Sequence, residues 1–135
     1  MPYISGGDLY SLLEFTRVFN EDTIKFFITQ VIMGIGRLHE HGIMHRDLKL
    51  ENLMLGINGY IKIIDFGLAK KLNPQDVANT VCGTPFYYAP ELIQIQSYDK
   101  SVDWWAIGIL MFEMLTGKVA FFSENRRELY ANIVN

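Results

Sequence analysis

The sequence has 135 residues, half of them hydrophobic and a fifth charged, and its formal net charge is −3. This composition excludes a disordered chain, and the negative charge leaves no basic patch for nucleic acid or an anionic membrane. A single cysteine, Cys82, excludes an internal disulfide and suits a reducing compartment, so we expect a protein of the cytoplasm or nucleus.

The first part of the chain predicts two helices. A short helix is expected over residues 8–15. Asn20 is a good N-cap for a longer helix, because Glu21 and Asp22 follow it in the first turn, where the helix dipole favours acids. Apolar residues then recur at helical spacing as far as Leu38, which predicts a helix that ends near Gly42.

The middle of the chain predicts a β-hairpin followed by irregular structure. Residues 53–55 and 60–64 have the composition of short strands, joined by a turn that contains Asn58-Gly59. Residues 68–90 are expected to be irregular, because the prolines and glycine within that segment break regular elements.

The last part of the chain predicts a central helix and a peripheral one. Residues 100–116 are apolar almost all round, so we expect this helix to be buried in the core, with Gly117 as its cap. A final amphipathic helix is expected to begin near Glu124.

Three short motifs carry the chemistry. His-Arg-Asp-Leu-Lys-Leu-Glu-Asn occupies residues 45–52, Asp-Phe-Gly occupies residues 65–67, and Ala-Pro-Glu occupies residues 89–91. In this order they resemble the catalytic loop, the metal-binding loop and the end of the activation segment of eukaryotic protein kinases. The sequences at residues 82–85 and 103–106 resemble motifs of the AGC-like serine/threonine group of protein kinases.

The resemblance implies a fold that is mainly α with a small β-hairpin, similar to the C-terminal lobe of a protein kinase. It covers residues 1–135, from the hinge through the C-terminal lobe to the start of the helix after the central helix. No glycine-rich loop or strand lysine precedes Met1 in this sequence, so we expect a partial kinase domain in which the N-terminal lobe is absent.

The resemblance also implies the catalytic residues. Asp47 would take the proton of the substrate hydroxyl, and Lys49 would reach the phosphate of ATP. Asn52 and Asp65 would bind Mg²⁺, which prefers hard oxygen ligands. Thr84 would lie between Asp47 and Lys49 and favour serine or threonine substrates. The alternative for each acid alone is a solvated polar turn.

Other matched positions imply regulation and nucleotide binding. A phosphorylated Thr80 would pair with Arg46 and Lys70 and order the activation segment, which requires an upstream activating kinase. The alternative is an ordinary exposed loop threonine. Met54 would form the floor under adenine.

Three acids match positions that bind basic peptides in related kinases, namely Asp8, Glu51 and Glu113. They would favour protein substrates with basic residues near the phosphorylated site. The alternative is that they are solvated surface acids.

Three histidines within seven residues raise the alternative of a zinc site. His39 and His41 lie two residues apart at a helix end, however, and point in different directions. The resemblance instead gives His45 a structural role against Phe66, and it implies that Asp103 accepts hydrogen bonds from the backbone of the catalytic loop.

Two functions follow from different classes. The first is an ATP-dependent serine/threonine protein kinase, of which this chain is a fragment. The second is a non-catalytic, truncated kinase-like module that binds or scaffolds partners. The motif residues favour the first function, since a module without catalysis has no chemical reason to retain them.

Overall fold

The computed structural model describes residues 6–73 and 75–135, so residues 1–5, where the hinge is predicted, and Pro74 lie outside the described residues. Within these ranges the chain forms five α-helices and four short strands. The helices are α1 (Leu9–Thr16), α2 (Glu21–Glu40), α3 (Pro90–Ile93), α4 (Ser101–Thr116) and α5 (Arg126–Val134). The strands are β1 (Ile43–Met44), β2 (Leu53–Leu55), β3 (Ile61–Ile63) and β4 (Lys70–Lys71).

The first two helices begin at side-chain caps. The carboxylate of Asp8 accepts a hydrogen bond of 2.8 Å from the backbone N–H of Ser11, and the amide oxygen of Asn20 accepts one of 2.8 Å from that of Thr23. The predicted cap at Asn20 is therefore confirmed. Helix α2 ends at Glu40, two residues before Gly42.

Helices α2 and α4 pack together and form the centre of the core. Their buried contact residues include Ile24, Ile28, Val31 and Ile35 from α2 and Ala106, Leu110 and Met114 from α4. The prediction that α4 is central to the core is confirmed. Its apolar surface is not covered all round, however, since Trp104, Phe112 and Leu115 are 41–50% exposed. One side of α4 faces the core, and the described residues do not cover the opposite side.

The predicted hairpin is present as an antiparallel pair of β2 and β3, in which Leu53 is opposite Ile63. A second antiparallel pair joins β1 to β4, with Ile43 opposite Lys71. The sequence did not predict this pair, because a strand of two residues has no detectable period. The second pair fixes the chain just before the 45–52 motif close to the chain just after the 65–67 motif.

No helix within the described residues is both long enough and apolar enough to cross a membrane.

The end of α4 provides a test of the packing. Gly117 has φ of 70°, and a Cβ at this position would collide with the carbonyl oxygen of Arg17. We expect Gly117→Ala to lower the free energy of unfolding by about 1–2 kcal/mol, because a left-handed conformation is costly for alanine. Gly36, inside α2, has open space around it. Gly36→Ala should therefore raise the free energy of unfolding by roughly 0.5–1 kcal/mol. Urea denaturation measures both free energies of unfolding, and equal effects of the two substitutions would contradict the steric difference between the two positions.

Candidate active site

The 45–52 motif forms a compact hydrogen-bonded network around Asp47. The hydroxyl of Thr84 donates to Oδ1 of Asp47 at 2.8 Å, and Nζ of Lys49 donates to the same hydroxyl oxygen at 3.2 Å. Nζ of Lys49 also lies 3.4 Å from Oδ2 of Asp47. The side chain of Asp47 is only 10% exposed and that of Lys49 is 24% exposed. Residues 37 positions apart in sequence therefore place an acid, a cation and a hydroxyl side by side.

Asn52 completes this network from the 3₁₀ turn over Leu50–Asn52. Its Nδ2 donates to the backbone carbonyl of Asp47 at 2.8 Å and to Oδ2 of Asp47 at 3.3 Å. The side chain is nearly buried, and both of these bonds use the amide nitrogen. The amide oxygen is thus left as an acceptor beside the carboxylate of Asp47.

Asp65 is held close to Asn52 by the backbone. The N–H of Ile64 donates to the carbonyl of Asn52 at 2.9 Å, so Asp65 follows directly after a residue bonded to Asn52. Asp65 has φ of 60°, and its Oδ1 accepts a hydrogen bond of 3.2 Å from the backbone N–H of Gly67. Its side chain is exposed. The donor set of one amide oxygen and one carboxylate consists of hard oxygens, which is the chemistry that Mg²⁺ prefers.

Asp103 anchors the catalytic loop from α4. Its Oδ2 accepts from the backbone N–H of His45 at 2.9 Å, and its Oδ1 accepts from that of Arg46 at 2.9 Å. Nε2 of His39 lies 2.8 Å from Oδ2. Asp103 is 1% exposed, so this carboxylate depends on its three partners for stabilisation.

His45 is a structural residue in this arrangement. Its Nε2 lies 3.1 Å from the carbonyl oxygen of Ile64, while its Nδ1 accepts from the N–H of Asp47 at 3.3 Å. With Nδ1 as the acceptor, Nε2 is the ring nitrogen that donates to the carbonyl of Ile64. The ring contacts that of Phe66 edge to face at 5.1 Å. The two motifs at 45–52 and 65–67 are joined in this way.

The three histidines have separate partners. His39 contacts Asp103, His45 contacts Ile64, and Nδ1 of His41 lies 2.8 Å from the carbonyl oxygen of Arg37. Within the described residues, no group of three or more His, Cys, Asp or Glu side chains is arranged to hold a metal ion.

Arg46 reaches the segment around Thr80 through Tyr98. Its Nε donates to the carbonyl of Leu68 at 2.7 Å, and its guanidinium donates to the hydroxyl of Tyr98 at 3.1 Å. That hydroxyl in turn donates to the backbone carbonyl of Thr80 at 2.6 Å. The side chain of Thr80 is exposed. Lys70 lies in β4, opposite Met44.

The predicted substrate acids occupy different environments. Asp8 caps α1, and Glu51 is exposed in the 3₁₀ turn. Glu113 is only 5% exposed and accepts a hydrogen bond of 2.5 Å from the hydroxyl of Tyr87. Burial raises the pKa of Glu113, the bond from Tyr87 lowers it, and the nearby charge of Glu51 raises it, with a net increase.

Glu51 and Glu113 are therefore neighbours, and α1 also approaches them. The pKa of Tyr10 is raised chiefly by a hydrogen bond to Glu14 and also by the charges of Glu51 and Glu113. Asp8, two residues earlier, forms an isolated β-bridge with Met54 of β2. The structure thus brings the start of α1 with Asp8, the 3₁₀ turn with Glu51, and Glu113 of α4 to one side of the molecule, which we call the acidic side.

Two contributors to the site were absent from the sequence predictions. Tyr98 links Arg46 to the Thr80 backbone, and Tyr87 holds Glu113. Neither tyrosine lies in a recognisable motif. The sequence suggested only a possible zinc site for His39, whereas in the structure its partner is Asp103. The one available signal was its position on the buried face of α2, since a buried histidine needs a polar partner.

The buried acid on α4 gives a pH-dependent test. Because the pKa of Glu113 is raised by folding, the folded state holds its proton more tightly than the unfolded state does. The wild type should lose stability as the pH rises from the unfolded pKa, about 4.3, through the raised folded value. Glu113→Gln keeps an acceptor for Tyr87 without the charge. The melting temperature of Glu113→Gln minus that of the wild type should therefore increase as the pH rises.

Thermal unfolding between pH 4 and pH 8 measures this difference. Glu124 is an exposed acid before α5, so Glu124→Gln is the matched control and should follow the wild type. If the difference in melting temperature between Glu113→Gln and the wild type does not grow with pH, the pKa of Glu113 is not raised by folding.

Comparison with known proteins is consistent with this geometry. The model of the family described as "Protein kinase domain" matches residues 1–135. The chain is 47% identical to "cAMP-dependent protein kinase type 3" of Saccharomyces cerevisiae over 135 residues, which is 100% of this chain and 33% of that protein. It is also 47% identical to "cAMP-dependent protein kinase catalytic subunit" of Schizosaccharomyces pombe, covering 99% of this chain and 26% of that protein.

A third relative is "Serine/threonine-protein kinase Sgk1-B" of Xenopus laevis, which is 43% identical over 100% of this chain and 31% of that protein. The chain thus spans a third or less of the length of these curated relatives. The match to the family covers residues 1–135 and therefore includes the motifs at 45–52, 65–67 and 89–91. The chain belongs to the protein kinase family and is similar to its AGC-like serine/threonine members.

Proposed function

We propose that the protein containing this chain is a serine/threonine protein kinase, which transfers the γ-phosphoryl group of ATP to hydroxyl groups of protein substrates. The observation that carries the proposal is the network of Asp47, Lys49 and Thr84, with Asn52 bonded to the same carboxylate. Phosphoryl transfer needs positioning and electrostatic stabilisation more than covalent chemistry, and this network supplies both.

Asp47 acts on the substrate hydroxyl. It accepts the hydroxyl proton while the hydroxyl oxygen forms a bond to the γ-phosphorus and the bond from that phosphorus to the ADP oxygen breaks. Lys49 lies against the carboxylate and the Thr84 hydroxyl, so its charge is in place to stabilise the transferred phosphoryl group. Thr84 fixes the orientation of Asp47 through its 2.8 Å hydrogen bond.

Asn52 and Asp65 are the residues that would hold Mg²⁺, and Met54 would contact the adenine ring. Asn52 presents its amide oxygen because its nitrogen is bonded to Asp47, and Asp65 presents an exposed carboxylate. When bound, Mg²⁺ neutralises phosphate charge. Such sites typically use one or two protein ligands, with the remaining positions filled by water and substrate phosphates.

Replacement of the catalytic acid tests the proposal. In the full-length protein, Asp47→Asn should lower kcat for a serine peptide by about 10²–10⁴-fold, because the amide cannot take the hydroxyl proton. Its melting temperature should fall only slightly, since Asn keeps the acceptor for the 2.8 Å bond from Thr84 and loses only the longer contacts of Oδ2, at 3.3 Å to Asn52 and 3.4 Å to Lys49.

Asp22→Asn, at an exposed position in the first turn of α2, is the control and should retain full activity. Equal activity of Asp47→Asn and the wild type would refute the proposed role. A wild-type protein that binds peptides but transfers no phosphate would instead favour the alternative of a non-catalytic binding module.

We also propose that an upstream kinase regulates the protein through Thr80. The threonine hydroxyl is exposed, while its backbone carbonyl is already bonded to Tyr98, the partner of Arg46. A phosphate brings up to two negative charges, which the guanidinium of Arg46 and the ammonium of Lys70 would attract.

Thr80→Ala should accordingly leave the melting temperature unchanged and lower kcat of the full-length protein after treatment with the activating kinase. Thr29→Ala, at an exposed position in α2, is the matched control. Identical rates for Thr80→Ala and the Thr80-phosphorylated form would contradict the proposal.

The acidic side of the molecule supports a preference for basic peptides. Glu51 is exposed beside the catalytic turn, and the buried Glu113 adds negative potential behind it. We infer that substrates carry basic residues near the phosphorylated serine or threonine.

We also infer that the protein acts in the cytoplasm or nucleus, where the single cysteine, Cys82, stays reduced.

A further inference from the structure

Two phenylalanine rings form an apolar surface beside the candidate active site. The rings of Phe86 and Phe122 are stacked, with their centroids 5.9 Å apart and their planes at 16°. Phe86 is partly buried against the core, whereas Phe122 is 63% exposed. We call this pair the aromatic shelf. Stacking covers part of each ring, and the exposed part of Phe122 leaves apolar surface for the side chain of a partner.

The loop that carries Phe122 is anchored to the helices on both sides of it. The ring of Phe121 stacks on that of Trp105 in α4, with centroids 6.2 Å apart and planes at 9°. The hydroxyl of Ser123 donates to the carboxylate of Glu128 in α5 at 2.8 Å. Because these contacts already order the loop, binding on the shelf costs little further ordering of the protein.

The backbone connects the shelf to the catalytic carboxylate. Phe86 lies two residues after Thr84, whose hydroxyl donates to Oδ1 of Asp47 at 2.8 Å. Two residues of fully extended chain span at most about 7 Å. An extended peptide whose hydroxyl group meets Asp47 can therefore reach the shelf with a side chain a few positions away. The shelf is continuous with the candidate active site.

The shelf also borders the acidic side of the molecule. Tyr87 follows Phe86 in the same 3₁₀ turn, and its hydroxyl donates to Glu113 at 2.5 Å. Burial raises the pKa of Tyr87 most, the hydrogen bond and charge of Glu113 raise it further, and so does the charge of Glu51. Both acids therefore lie near this turn. Since negative potential attracts a basic peptide, the peptide segment that meets the acids also passes the shelf.

We propose that the aromatic shelf is a subsite for an apolar side chain of the substrate, above all an aromatic one, in the same peptide segment as the basic residues. Phe86 and Phe122 are then specificity-determining residues. The inference rests on the proposed function, because the occupant is the substrate of that reaction. Peptide binding is measurable without ATP, however, so the failure of the subsite is distinguishable from the failure of phosphoryl transfer.

The binding test moves one phenylalanine along a peptide. The parent peptide has alanine at the phosphorylated position and arginines on both sides of it. Each derivative has a phenylalanine at one of about six positions on either side, which covers roughly 20 Å of extended chain. Fluorescence anisotropy with the full-length protein should show binding that is about five- to tenfold tighter for phenylalanine at one or two of these positions. If no position tightens binding, the subsite is wrong.

Variants of Phe122 test whether the shelf causes this gain. Phe122→Ala should remove the gain from phenylalanine and leave the affinity for the parent peptide unchanged, since the ring is largely exposed. Phe26→Ala, at a ring of α2 that is 52% exposed, is the matched control and should retain the gain. A gain that survives Phe122→Ala would overturn the proposal.

A charge at the same position gives a readout that a purely structural role of Phe122 would not produce. Phe122→Glu should remove the gain from phenylalanine and should tighten binding when arginine takes the place of that phenylalanine in the peptide. Unchanged preference for phenylalanine over arginine in Phe122→Glu would contradict contact between the shelf and the peptide.

Two further measurements separate the alternatives. With serine at the phosphorylated position, the same phenylalanine should lower KM and leave kcat unchanged, because the shelf does not touch the reacting groups. Phosphorylation of the parent peptide without any gain from phenylalanine would refute the subsite alone. A gain in binding without phosphate transfer would support the subsite and refute the proposed activity. Sedimentation velocity that shows an oligomer of the full-length protein, made monomeric by Phe122→Ala, would instead assign the shelf to a second copy and overturn the proposal.

Discussion

The rest of the site depends on the hydrogen bonds that the buried carboxylate of Asp103 accepts. Removing a charge from water is costly, and three donors offset that cost here: the ring of His39 and the backbone N–H groups of His45 and Arg46. Arg46 has φ of 68°, a conformation that costs a non-glycine residue about 1–2 kcal/mol. The bond to Asp103 helps to hold this unfavourable turn, and the turn determines where Asp47 lies.

Helix α4 carries a second buried acid with a parallel role. Glu113 lies ten residues after Asp103, roughly 15 Å along the helix axis, and it holds Tyr87 in the 3₁₀ turn that follows Thr84. One helix therefore positions both chain segments that meet at the catalytic carboxylate. The packing of α4 against α2 sets the distance between these segments, so stability and site geometry share the same contacts.

The sequence predicted the parts of this structure that have a local signature. The caps and periodicity of α2 and the turn between β2 and β3 are short-range patterns, and the elements appear close to the expected positions. The relation of Asp103 to the catalytic loop came from family resemblance. Periodicity could not reveal it, because the hydrogen-bonded residues are 57 and 58 positions apart.

The failures have physical causes of the same kind. The β1 and β4 strands have two residues each, which is too short for any period to appear. The apolar composition of α4 predicted its place in the core, but composition does not show which side of the helix other elements cover, and one side remains exposed. The hydroxyl bridge of Tyr98 depends on the meeting of three distant segments, and a lone tyrosine in a sequence gives no sign of that.

The bridge from Arg46 through Tyr98 to the Thr80 carbonyl has a consequence for regulation. The backbone at Thr80 is tethered before any phosphate is added, so part of the conformational entropy of ordering this segment is already lost. A modification there would start from a preorganised segment and would need a smaller differential free energy to complete the transition. The ordered conformation would then already be populated before the modification, and the modification would increase that population.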